Sequence, residues 1–152
     1  MRRLFVGLLT LLVLGAGTSF AQVWGGVSGS LPFAVTGHVG FENGLGDGVD
    51  IRGNGTLLLG STSGYLLGVD VILDLPVTPI TAVDFYFGAG PVVAVLDGGD
   101  LTGVILSTFV GAEYDLGGIG SAFLEGGATF EPFGNVDGVD LLSARLGINF
   151  SK

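Results

Sequence analysis

The chain has 152 residues, enough for one domain, and carries 14 acidic residues against five Lys and Arg, one His and no Cys. Without Cys there are no disulfide staples, no thiolate metal sites and no lipid anchor on an N-terminal Cys. The acidic balance argues against nucleic acid as a partner and against charge-driven binding to anionic head groups.

The first element is an export signal. Arg2 and Arg3 make a charged start, Leu4 to Leu14 an apolar run, and Ser19-Phe20-Ala21 a small-x-small cleavage site before Gln22. The apolar run is too short and wrongly flanked for a membrane helix. Residues 1–21 are therefore expected to be a signal peptide, with residues 22–152 forming the domain. Its removal leaves Arg52, Arg145 and Lys152 against 14 acids, a net charge of −11. No later stretch approaches the ~18 uninterrupted apolar residues of a spanning helix. The mean hydropathy is nevertheless +0.72. A very apolar exported chain without a membrane helix has the profile of a transmembrane β-barrel, whose lipid-facing residues alternate with lumen residues.

Beyond Gln22 the chain breaks into eight alternating stretches: 23–30, 33–42, 49–60, 64–75, 81–95, 101–114, 120–131 and 140–150. Each is bounded by Gly, Asp, Asn, Ser or Pro, as in ENGLGDG, STSG, PVTP, DGGD, DLGG and EPFGNVDG. No segment has a 3.6-residue period, so no helix is predicted. In 65–75 Tyr65, Leu67, Val69, Val71, Leu73 and Leu75 oppose Leu66, Gly68, Asp70, Ile72 and Asp74. In 83–95 Val83, Phe85, Phe87, Val93 and Val95 oppose Asp84, Tyr86, Gly88 and Gly90. The alternation continues in 104–114, where Ile105 and Phe109 blur it, and in 122–130. In the last stretch Leu142, Ala144, Leu146, Ile148 and Phe150 alternate with Ser143, Arg145, Gly147 and Asn149. Eleven residues rising ~3.3 Å each, tilted ~40°, span about 28 Å, enough for an apolar band ~25 Å tall.

Aromatic residues stand at the ends of the apolar face. Phe41, Tyr114 and Phe150 are expected to form one girdle, and Phe33, Tyr65 and Phe130 the other, at the two membrane interfaces.

Taken together, the eight alternating stretches and the ending Leu142-x-Ala144-x-Leu146-x-Ile148-x-Phe150 resemble the small eight-stranded outer-membrane barrels, the OmpA transmembrane domain and OmpX among them. The resemblance implies an eight-stranded antiparallel up-and-down barrel in an outer membrane. It also implies recognition of the final strand by the outer-membrane assembly machinery, although Phe150 stands third from the end rather than last. It is a resemblance of architecture and implies little about activity.

Eight strands leave a lumen just wide enough for side chains to fill, which argues against an open pore. Arg145 facing lipid at mid-height would cost ~2–4 kcal/mol, which turns its side of the strand inward. The expected lumen network comprises Arg52, Arg145, Asp50, Asp70, Asp84, Glu113 and Glu125, accompanied by Asn54, Tyr86 and Asn149. Five acids exceed two Arg, so at least one acid is expected to keep its proton or to stand in water near a rim. His38 shares the inward parity, but a lone His without Cys is a poor metal site or general base. Inward glycines at 68, 88, 90, 111, 127 and 147 are expected to make room for Tyr86, Phe109, Phe123 and Arg145.

The acidic turns Asp47-Gly48-Val49-Asp50, Asp97-Gly98-Gly99-Asp100 and Asp137-Gly138-Val139-Asp140 offer weak Ca²⁺ candidates in Asp47, Asp50, Asp97, Asp100, Asp137 and Asp140. None fits an EF-hand, and Asp-Gly is ordinary turn chemistry. No cofactor motif and no enzymatic constellation is found. The expected role is structural or accessory to envelope assembly, with the lipid bilayer, the assembly machinery and a larger envelope complex as partners. Two alternatives are a narrow cation-selective or gated channel using the acidic lumen, and a soluble secreted barrel binding an apolar ligand. The last requires the apolar stripe inside and the charges outside.

Overall fold

The computed structural model describes residues 22–31, 33–59, 64–76, 82–96, 101–130 and 142–150. The expected signal peptide and the turns holding Asp97, Asp100, Asp137 and Asp140 lie outside the described residues. Eight strands follow in chain order: β1 (Val23–Leu31), β2 (Ala34–Gly46), β3 (Val49–Leu58), β4 (Gly64–Asp74), β5 (Val83–Leu96), β6 (Leu101–Asp115), β7 (Ser121–Phe130) and β8 (Leu142–Phe150). Each pairs antiparallel with the next, and β8 closes on β1 from Gly25↔Phe150 to Leu31↔Ala144. Closure leaves no unpaired sheet edge. Both chain ends of the barrel meet at one rim, the chain-end rim; the β1–β2 connection marks the far rim.

The alternation resolves into two faces. Inward positions hold Trp24, Thr36, His38, Asp50, Arg52, Asp70, Tyr86, Phe109, Glu113, Phe123, Glu125 and Asn149, all buried. Outward positions hold the large apolar residues, among them Val27, Val39, Leu67, Val110, Leu124 and Leu146, all exposed. Period-2 alternation dictates this: once Arg52 points inward, Ile51 and Gly53 must point out. Ile105 and Phe109, which blur the pattern of β6, are buried inward residues. The soluble-barrel alternative needs the reverse arrangement, and the described residues do not have it.

Strand limits differ from expectation where turn chemistry intervenes. β2 runs past residue 42 to Gly46, and ENGLGDG is mostly a bulged extension rather than a turn. Pairing slips between Phe41 and Gly46, with Asn43 at φ 54. The Asn43 backbone N–H donates to Asp50 Oδ1 at 2.8 Å, and the Gly48 N–H donates to Asn43 Oδ1 at 2.8 Å. Asn tolerates the left-handed region because its short amide makes such local bonds. β3 ends at Leu58, two residues before the expected limit.

Lumen aromatics pack on glycines in the strand beside them. Trp24 lies over Gly40, His38 over Gly26, Tyr86 over Gly111, Phe109 over Gly88 and Phe123 over Gly147, each ring on its direct cross-strand partner. A Cβ at any of these glycines would overlap the ring. Gly68 lies instead against Asn54, Gly90 against the Val69 backbone, and Gly127 against Thr108 and Phe109. Arg145 is not placed over a glycine in this way. The hairpins β1–β2 and β5–β6 share one pattern, an aromatic-x-glycine opposite another, and they sit on opposite sides of the ring.

Candidate functional site

The lumen at mid-height is organised by Arg52, 1% exposed. Its Nε and Nη2 donate to Asp70 Oδ2 at 3.1 and 3.0 Å, in the adjacent strand β4. Its Nη1 reaches Glu125 Oε1 at 2.5 Å, in β7 on the far side of the barrel. Arg145 of β8 approaches Glu125 Oε2 at 3.2 Å, with its side chain 21% exposed. The Tyr86 hydroxyl donates to Glu125 Oε1 at 3.0 Å, and Asn54 Nδ2 donates to Asp70 Oδ2 at 2.8 Å. Phe109 closes the remaining side, its ring centroid 4.7 Å from Arg52 Cζ. The guanidinium thus satisfies two carboxylates with its planar fork and lies over a ring, a planar arrangement that a Lys ammonium lacks.

Register explains the set. Arg52↔Asp70 is a direct pair of β3–β4, and Glu125↔Arg145 is a direct pair of β7–β8, on opposite walls with the charges reversed. Each wall neutralises itself. The reversal sets Arg52 against Glu125 across the lumen, where equal order would set like charges together.

A second polar set lies toward the chain-end rim. His38 Nε2 meets Asn149 Oδ1 at 2.8 Å, and Asn149 Nδ2 donates to Glu113 Oε1 at 3.0 Å. The Ser121 hydroxyl also donates to Glu113 Oε1. Because Asn149 turns its NH₂ to the carboxylate, its oxygen faces His38, so Nε2 carries the hydrogen. The imidazole packs edge-on against Trp24 and Phe123, each centroid 5.5 Å away. In this set Ser121 is bonded to a carboxylate and His38 to an amide.

The predicted site residues divide accordingly. Arg52, Asp70, Glu125 and Arg145 come together. Glu113 belongs to the His38–Asn149 set, and Asp50 is buried where it accepts the Asn43 N–H. Asp84 is a correction: it is exposed at the chain-end rim and joins none of the ion pairs among the described residues. It lies second in β5, beside the end of that strand. Phe33, Tyr65, Tyr114, Phe130 and Phe150 are exposed on the outer wall and Phe41 is half-buried beside Ile51. Asp47 is exposed while Asp50 turns into the lumen, and no three acidic or His side chains converge on a metal position among the described residues. Sequence reasoning missed Trp24, Ser121 and the His38–Asn149 bond; inward parity in β1 and β7 was the available signal.

No family model and no curated protein matches the sequence. Among solved structures, the barrel is similar to the N-terminal β-barrel domain of Pseudomonas aeruginosa OprF. That match covers 86% of this chain and 95% of the other, with 16% identity and a TM-score of 0.65. It is also similar to the de novo designed TMB2.3, over 86% and 94% of the two chains, at 14% identity and a TM-score of 0.56. A further designed transmembrane β-barrel matches over 85% and 92%, at 16% identity and a TM-score of 0.52. At these identities the likeness concerns fold: the chain has the closed, eight-stranded antiparallel architecture of the small transmembrane β-barrels.

Proposed function

We propose that the chain is an exported outer-membrane β-barrel, with residues 1–21 removed as a signal peptide and residues 22–152 forming the barrel. Its role is structural or accessory to envelope assembly, it is not an enzyme, and side chains plug its lumen. The carrying observation is the segregation of chemistry. Buried ion pairs centre on Arg52, while the outer wall exposes large apolar side chains from β1 to β8. A contiguous apolar surface of this extent has no stable place in water, and a bilayer is the solvent that covers it. Exposed Phe33, Tyr65 and Phe130 at the far rim, and Tyr114 and Phe150 at the chain-end rim, suit two membrane interfaces. The last strand, ending at Phe150, is the segment offered to the assembly machinery.

Wide mid-lumen side chains, Arg52, Tyr86, Phe109 and Phe123, held by ion pairs and glycine seats, support the plug. Membrane fractionation, detergent extraction and gel mobility before and after boiling test the location. The expected result is a membrane-bound, heat-modifiable band; a protein that stays in buffer without detergent overturns it. Planar-bilayer recording tests the plug, with no conductance expected; steady cation-preferring steps favour the channel instead.

A further inference from the structure

The two halves of the lumen are not alike. Toward the chain-end rim it is filled by Trp24, His38, Tyr86 and Phe123, all buried. Toward the far rim the inward positions of β6, β7, β8 and β1 carry small hydroxyls that stay half-buried: Ser107, Thr129, Ser143 and Ser30. Register makes them a continuous strip around Arg145, through Ser107↔Thr129, Glu125↔Arg145 and Ser30↔Arg145. The facing wall has no such opening, because Thr36, Thr56, Val92 and Ala94 are buried. A hydroxyl-lined crevice therefore descends one wall from the far rim to the Arg145 guanidinium, whose side chain is 21% exposed. It stops there, on buried Glu125 and Arg52.

Resting on the plugged-lumen reading, we propose that this crevice binds a small monoanionic carboxylate, held by the Arg145 guanidinium and the hydroxyls of Ser28, Ser30 and Ser143. The hydrogen bonds of the two partners of the ion pair carry the proposal. Glu125 is rich in donors: Oε1 takes Arg52 Nη1 and the Tyr86 hydroxyl, and Oε2 takes Arg52 Nη2 at 3.4 Å. Arg145 is poor in acceptors. Its Nη1 lies 3.2 Å from Glu125 Oε2 without forming a hydrogen bond, and no other acceptor reaches the guanidinium among the described residues. A guanidinium presents five N–H donors in a planar fork that matches the two oxygens of a carboxylate.

Ser28 is the second, independent sign. Its Oγ is without a partner although the residue is only 5% exposed. It stands opposite Gly147, two residues along β8 from Arg145, and its Cβ is 2.6 Å from where a Cβ at Gly147 would lie. The side chain thus leans over the strand that carries Arg145. A buried hydroxyl without a partner costs free energy that a bound acceptor restores.

Charge sets the ligand class. Arg52 and Arg145 balance Asp70 and Glu125, and among the described residues no carboxylate lies between Glu125 and the far rim. A cation entering the crevice meets the guanidinium first. The chain as a whole carries −9, a field that disfavours a dianion against a monoanion.

The test is NMR of the folded chain in detergent micelles, labelled with ¹⁵N at arginine, with sodium acetate replacing sodium chloride at constant ionic strength. The Arg145 Nε–H signal, identified by its loss in R145K, is expected to shift and saturate with a Kd of about 1–10 mM. Arg52 is the internal reference and stays in place. Phosphate, titrated in the same way, binds more weakly. S28A and S30A/S143A each weaken acetate binding by roughly three- to tenfold. T108A, which removes a hydroxyl bonded to the Ala128 carbonyl, leaves it unchanged. Heat-modifiability certifies that each variant is folded. A folded wild type whose Arg145 signal does not move, whose two arginines shift together without saturation, or which prefers phosphate overturns the proposal. So does acetate affinity that survives both serine variants. All of these leave the plugged lumen standing, whereas steady conductance through the folded wild type overturns the plug itself.

Discussion

Arg52 and Glu125 meet across the lumen from β3 and β7, four strands apart in either direction around a ring of eight, with Nη1 2.5 Å from Oε1. This contact ties opposite walls directly, whereas ladder hydrogen bonds tie only neighbours. Glu125 also holds Arg145 and Tyr86, and Arg52 also holds Asp70, so one buried set links β3, β4, β5, β7 and β8.

Removing Arg52 leaves Asp70 and Glu125 buried together with Arg145 as the remaining cation. R52L is expected to destabilise the barrel by about 3–5 kcal/mol, because an uncompensated buried charge costs more than the pair contributes. R52L/E125L is expected to lose less than the sum of the single variants. Urea unfolding in lipid or detergent gives the values; strict additivity would contradict the cross-lumen contact.

The ring-on-glycine seats predict opposite outcomes for one chemical change. G88A drives a Cβ into Phe109 and should cost about 1–3 kcal/mol through displaced rings. F109L in the same chain recovers part of it. G37A, whose Cβ meets nothing within 4 Å, should be neutral or stabilising by about 0.4–1 kcal/mol. Equal losses at both positions would remove the seats as the cause.

Sidedness is tested by one charge placed on each face of β8. L146R, at mid-height on the exposed wall, should cost about 2–4 kcal/mol in a bilayer, and S143R, on the lumen side, clearly less. The heat-modifiable fraction after refolding reads the difference, and equal tolerance of both would mean that the wall does not face lipid.

Asn149 bridges His38 and Glu113, so N149A strips a partner from each buried group. A loss of about 1–3 kcal/mol is expected. N54A removes one bond to Asp70, which keeps Arg52, and should cost only about 0.5–1.5 kcal/mol. Thermal melts of the two variants side by side give the order, and a reversed order would relocate the more critical network.

Much of this molecule is legible before folding. Alternation alone separates the faces, because a strand's side-chain period of two admits only two orientations, and the cost of Arg145 in lipid chooses between them. The count of eight strands follows from turn residues, and inward glycines announce large neighbours such as Tyr86 and Phe109. What stayed hidden depends on three dimensions. The length of β2 depended on Asn43 entering the left-handed region and bonding Asp50, where composition suggested a turn. Asp84 has the parity of a lumen acid yet lies exposed at the rim, because parity gives the face of a strand and not its height relative to the partners.

The sequence by itself determined the class of fold and which face of each strand turns to the lumen, since both are local consequences of period and turn chemistry. Only the tertiary structure decided who meets whom there. Barrel closure and shear bring Arg52 opposite Glu125, and Asn149 between His38 and Glu113, across sequence separations of 36 to 111 residues. No periodicity encodes such meetings, because they depend on how eight registers add up around a closed ring.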